Sequence, residues 1–194
     1  MKRTVMFAVS LMMVFALALC AQAAPADLVE GDGNTYELMI STQLADASPF
    51  CQGFYALAER VKERSGGKMT VKVFPSAQLG SDEDVIEQAI QGVNVAVVTD
   101  AGRMANYVKE IGIVGMAYFT NSYDELLKVQ QTDFWKGNVE KLASENGIRV
   151  LSFNWFDGAR HFLTNKPVKT PEDLKGVRIR TPGAPSWSRS VAAL

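Results

Sequence analysis

Six side chains in this sequence could do chemistry together: Gln43, Asp82, Asp100, Arg103, Arg160 and Arg180. Each stands near the end of a segment that reads as a strand, or at the start of the helix that follows one. Open α/β sheets bind ligands outside the carboxyl ends of their strands, so loops of this kind meet on one rim. An arginine on that rim can hold a carboxylate through two parallel hydrogen bonds, which a lysine cannot. Arg180 closes the alternating run Val177-Arg178-Ile179-Arg180-Thr181. A period of two sends Val177, Ile179 and Thr181 to one face and the arginines to the other. Arg160 and Arg180 on one side, with Asp100 and Arg103 on the other, would line a polar, anion-selective cleft.

Each residue also has an ordinary structural reading. Asp82 is a helix-cap acid in most such contexts, and Asp100 can pair with Arg103 across a turn. Arg160 can stack on a ring, with Trp155 and Phe156 nearby. Arg178 reads as a solvated strand charge, Arg180 is evenly balanced, and Gln43 alone carries little. Their convergence carries the case.

Catalytic constellations are missing from the sequence. The one histidine, His161, falls in a short strand with no nucleophile motif beside it. No G-x-S-x-G, P-loop, C-x-x-C or H-E-x-x-H pattern occurs. Cys and His are too scarce for a zinc site. The expectation is therefore binding without turnover, with no cofactor and no metal.

The elements that must position these residues alternate strand with helix. Residues 36–41 and 69–74 read as strands, and the more apolar 93–98 as a buried parallel one. Phe50, Phe54, Leu57, Ala58 and Val61 share a helical face, opened by Ser48-Pro49 and closed by Gly66-Gly67. Ser81 and Asp84 have capping-box spacing at the start of a helix that buries Val85, Ile86, Ala89 and Ile90. Residues 111–116 form another apolar segment. Helices are expected from Ser122 to Gln130 and over 133–146, the latter closed by Gly147. Strands are expected over 148–153, 161–164 and 177–181, with a helix starting at Ser186. This rhythm indicates an α/β domain with a mostly parallel sheet.

The amino terminus reads as a cleavable secretory leader over residues 1–23. Lys2 and Arg3 precede an apolar run, and Ala21-Gln22-Ala23 supplies the cleavage site. A polar lead-in over 24–35 follows. Removing the leader's two basic residues leaves a mature net charge of −3. That balance lacks the basic stripe of nucleic-acid binders. Cys51, the only cysteine beyond the leader, is expected in the core, so no intramolecular disulfide forms.

Two segments carry a resemblance: Pro75-Ser-Ala-Gln-Leu-Gly80 and Leu174-Lys-Gly-Val-Arg-Ile-Arg-Thr-Pro182. With the spacing of the five charged positions, they resemble the solute-binding proteins of tripartite ATP-independent periplasmic (TRAP) transporters, of the dicarboxylate-binding type. The likeness runs from about Tyr36 to the last residue. It implies a two-lobed, type II periplasmic-binding-protein-like α/β fold. The first lobe would span 36–157, and 158–194 would begin a second, incomplete lobe. It further implies a monomer in the periplasm that captures a small-molecule carboxylate and delivers it to membrane permease subunits. By resemblance, Arg180 grips the ligand carboxylate, Arg160 assists, and Asp82, Asp100, Arg103 and Gln43 contact the rest of the ligand. Asp100 and Gln43 stand where sialic-acid-type members carry glutamate and asparagine, which argues against sialic acid. The alternatives are an exported α/β enzyme acting on a carboxylate and a sensory-receptor ligand-binding domain.

Overall fold

A computed structural model describes residues 33–194; the leader and residues 24–32 of the lead-in lie outside the described residues. Three parallel strands form the sheet: β1 (Tyr36–Ser41), β2 (Met69–Phe74) and β3 (Val95–Val97), in the order β2-β1-β3. Ile40 sits opposite Val73 on one side and Ala96 on the other, so β1 is central. Parallel neighbours need crossovers, which the helices supply. Helix α1 (Pro49–Arg64) joins β1 to β2, and α2 (Asp82–Ile90) joins β2 to β3.

Local chemistry accounts for both helices. Ser48 caps α1 by accepting from Cys51 N, with proline at the first helical position, where its missing N–H costs nothing. Cys51 and Phe54 are its buried residues, while Leu57 stays at the surface. Ser81 and Asp84 form the reciprocal capping box at α2. Val85 and Ile86 are buried, whereas Ile90 is exposed, so the covered face of α2 is narrower than its apolar pattern.

Between β3 and Asn146 the regular elements are all helical, joined by short loops. They are α3 (Ala101–Met104), a 3-10 segment (Lys109–Gly115), α4 (Tyr123–Val129) and α5 (Asp133–Asn146). The apolar segment at 111–116 thus falls largely in a tight 3-10 coil, burying Ile111 and Val114. A Cβ on Gly115 would lie 2.9 Å from the Gly102 backbone nitrogen, so this segment packs directly on α3. Ile86, Met104, Val108, Ile111, Val114, Trp135 and Leu142 belong to one core cluster. Gly147 ends α5 at φ 70°, a left-handed conformation natural to glycine.

The runs 148–153, 161–164 and 177–181 are not strands among the described residues. A strand is completed by the ladder on its neighbour, and none of these runs has one here. Side chains hold the first of them instead. Phe153 stacks on Trp135 at 4.2 Å, and Gln130 donates to the Phe153 carbonyl. Trp155 then lies on Phe54 at 4.5 Å, over Gly53, where a Cβ would come within 2.7 Å of the indole. The chain finishes with a 3-10 turn (Pro171–Leu174) and α6 (Pro185–Ala192). Val177, Ile179 and Thr181 all line a groove of about 450 Å³ against Val191 and Ala192 of α6. The alternation of this run is therefore real, although it pairs with no strand.

Candidate ligand-binding site

The site starts at the loop after β1. Ser41 and Thr42 are fully enclosed, and the Thr42 hydroxyl accepts from Leu44 N. The turn after β2 is fastened to this loop: Ser76 N donates to the Leu44 carbonyl at 2.8 Å and Ala77 N to that of Thr42 at 3.0 Å. Ser76 and Ala77 both have left-handed backbones, φ 54° and 58°. Such a conformation is unfavourable without glycine and persists where neighbouring contacts fix it. The Pro75-to-Gly80 motif thus locks two loops together, bringing the exposed Gln43 against the Asp82 carboxyl at the start of α2.

Arg103 is the centre of the charged cluster. Its Nε donates to Glu83 Oε1 at 2.8 Å and its Nη1 to Asp100 Oδ2 at 2.8 Å, with Asp82 Oδ2 3.4 Å from Nη1. The Arg103 side chain is only 11% exposed and Asp82 is buried beside it, whereas Glu83 stays open to water. Asp100 is also the N-cap of α3, accepting from Arg103 N at 3.1 Å. One guanidinium thus faces three carboxylates, a wall with an excess of negative charge. Burial raises the Asp82 pKa, and Arg103 and Gln43 only partly offset it. The Arg103 hydrogen bond lowers that of the more exposed Glu83. Burial alone would weaken the charge on Arg103, but the surrounding carboxylates more than restore it.

Arg160 joins this cluster through a tryptophan. Its guanidinium carbon lies 4.5 Å from the ring centroid of Trp187 in α6, and Trp187 Nε1 donates to Asp100 Oδ1 at 3.1 Å. The ring on which Arg160 stacks is Trp187, not the neighbouring Trp155 or Phe156. Arg180 is exposed and makes no hydrogen bond or ion pair among the described residues. Its run nonetheless leads to the cluster, because Gly183 abuts Glu83 and its carbonyl accepts from Asn106 Nδ2 at 3.3 Å.

Asp82, Asp100 and Arg103 therefore meet directly, Gln43 joins through Asp82 and Arg160 through Trp187, while Arg180 touches none of them. Sequence reasoning missed Glu83 and Trp187. Glu83 was hidden among the acids of a helix start, which are common there for dipole reasons. Trp187 carried a weak signal, an aromatic side chain on a short terminal helix with no assigned role.

The chain and its fold have counterparts among known proteins. The family model for bacterial extracellular solute-binding proteins, family 7 (DctP), matches residues 40–194. The sialic acid-binding periplasmic protein SiaP of Vibrio cholerae serotype O1 is 30% identical over 66% of this chain and 40% of its own length. The C4-dicarboxylate-binding protein DctB of Bacillus subtilis is 28% identical over 78% of this chain and 43% of its own. A TRAP periplasmic solute binding protein from Actinobacillus succinogenes, solved with bound L-galactonate, superposes with a TM-score of 0.77. That relative is 32% identical, with 81% of this chain and 52% of the other covered. The chain thus spans about half the length of these relatives. It has a periplasmic-binding-protein-like α/β fold and belongs to the family 7 bacterial extracellular solute-binding proteins.

Proposed function

We propose that this chain is the solute-capturing component of a TRAP transporter, taking a hydroxylated organic acid in the periplasm as a monomer and passing it to membrane permease subunits without chemical change. The first lobe spans 36–157, and 158–194 opens the second. Arg180 takes the ligand carboxylate through two parallel hydrogen bonds, and Arg160 contributes a second positive charge beside it. Asp82 and Glu83, with Gln43, receive hydroxyl groups from the far end of the ligand. Asp100 has a framing role, because its two oxygens already accept three hydrogen bonds.

The observation that carries this reading is the charge balance around Arg103. Three carboxylates on one guanidinium would repel a second carboxylate on the ligand, yet they accept well from hydroxyls. That favours a sugar acid over a C4-dicarboxylate, in keeping with the L-galactonate held by the Actinobacillus relative. Calorimetric titration with L-galactonate, D-glucuronate and succinate tests it. A sugar acid is expected to bind at least tenfold more tightly than succinate. Arg180→Ala should weaken the tighter ligand at least tenfold, since breaking a desolvated charge pair costs about 2–5 kcal/mol. Tighter binding of succinate would reverse the ligand class, and an unaffected Arg180→Ala variant would remove that residue from the site. Recovery of an altered ligand after incubation would favour the enzyme alternative.

A further inference from the structure

Trp187 touches both the Arg103 cluster and Arg160. Its ring is fixed at two places. The indole N–H is tied to Asp100, an acceptor itself held by the backbone and guanidinium of Arg103. The ring edge also rests on Gly102, where a Cβ would stand 2.6 Å from Nε1 and 2.8 Å from Cδ1. Only a residue without a side chain allows that approach. Gly112 packs the 3-10 segment tightly on Ala105, where an added Cβ would stand 2.6 Å away, and Ser186 of α6 lies in ordinary contact at 3.8 Å. The ring is thus pinned to α3, and Arg160 lies over it.

We infer that Trp187 is a positioning residue for carboxylate recognition: pinned by Asp100 and seated on Gly102, it holds the Arg160 guanidinium on its ring so that this arginine is presented to the ligand in one place. An exposed arginine otherwise spreads over many rotamers, and ordering it on binding costs affinity. A cation–π contact leaves the guanidinium's in-plane N–H groups free, so the ring can hold Arg160 while a carboxylate takes its edge. The inference rests on the proposed carboxylate function, and its test separates the two.

The experiment is a double-mutant cycle with Trp187→Phe, Arg160→Ala and the pair, titrated calorimetrically with L-galactonate, D-glucuronate and succinate. Trp187→Phe keeps a ring but loses the N–H that fixes it. It is expected to weaken the best-bound of these acids about tenfold, the worth of one hydrogen bond to a charged group. In the Arg160→Ala background the same change should have no effect, because nothing remains to be positioned. Equal weakening in both backgrounds overturns the inference, since a merely structural tryptophan behaves that way. Trp187→Tyr, with a polar edge on a ring, should bind between Phe and the parent; a Tyr variant weaker than Phe counts against the pinning. Circular dichroism of each variant confirms folding, and a Phe variant that fails to fold leaves the Tyr variant to run the same cycle. Absence of binding by all three acids to the unaltered chain sinks the carboxylate reading and this inference with it. Binding without coupling sinks this inference alone.

Discussion

The regions that meet at Trp187 and Asp100 are held by different forces. Residues 36–146 enclose an apolar cluster that includes Ile111 at 1% and Leu142 at 0% exposure. Beyond Leu142, Ala184 is the one buried apolar residue among the described residues, while Leu151 and Leu163 lie open to solvent. Ile148, Val150 and Phe153 still lean on the core cluster, but past them the later region is placed by a few contacts: Trp155 on Phe54, Asn106 to Gly183, Trp187 to Asp100. Apolar burial scales with area and has no direction, so the earlier region is firm without depending on any single contact. A few aimed contacts fix position while adding little stability. A binding cleft can use that division, with one wall as a foundation and the other placed by a handful of contacts.

The largest effect should come from the core. Leu142→Ala removes a fully enclosed side chain and should cost about 2–5 kcal/mol in denaturant unfolding. Ile179→Ala, in the groove beside α6, removes a side chain that is only partly covered and should cost less than about 1 kcal/mol. Equal losses would erase the contrast between the regions and mean that the later one folds as part of the same cooperative core.

The same contrast explains what the sequence could convey. Ser48, Ser81 and Gly147 act on their own helix ends, so the bounds of α1, α2 and α5 were legible without knowledge of the rest of the chain. A strand depends on a neighbour that can lie far away in sequence. Residues 177–181 therefore keep their alternation, visible in the groove-facing Val177, Ile179 and Thr181, yet form no ladder. In the charged cluster, the pairing of Asp100 with Arg103 was legible because three residues separate them, a local spacing. Glu83 reaches Arg103 over twenty residues and Trp187 reaches Asp100 over eighty-seven, contacts that no local pattern announces.

Gly102 offers a sharper probe of the join. Gly102→Ala would place a methyl 2.6 Å from the indole nitrogen and 2.8 Å from Asp100 Oδ1. Overpacking of this kind costs about 1–3 kcal/mol, and here the loss should be local. Hydrogen exchange should show faster exchange in α6 with little change in β1, β2 and α5. Uniform acceleration across the molecule would show that the two regions open together.

A smaller effect is expected at the α2 cap. Ser81→Ala removes the acceptor for Asp84 N and should destabilise by about 1 kcal/mol. Because α2 carries Asp82 and Glu83 into the cluster, the variant should also loosen the Tyr107–Glu87 hydrogen bond on the next turn of that helix, seen as lost exchange protection around residues 82–87. Unchanged midpoint and protection would mean that tertiary packing of Val85 and Ile86 alone sets the helix start.

The smallest effect concerns pH and separates two neighbouring acids. Burial raises the Asp82 pKa above its ordinary value of 3.8, so the folded state takes up this proton before the unfolded state does. Its contribution to stability is therefore full below 3.8 and is lost as pH rises through the higher folded value. Glu83 runs the other way: its pKa is lowered from 4.5 by Arg103, so its contribution is present above 4.5 and is lost as pH falls through the folded value. Asp82→Asn should accordingly compare best with the parent near neutral pH and fall behind it toward pH 4. Glu83→Gln should trail the parent most at neutral pH and close the gap on acidification, by an amount moderated by the solvent exposure of Glu83. Urea unfolding midpoints of parent and variants across this range read both slopes. Parallel slopes would show that the two carboxylates share one environment, whereas opposite slopes follow from a buried acid and a more exposed one competing for the same guanidinium.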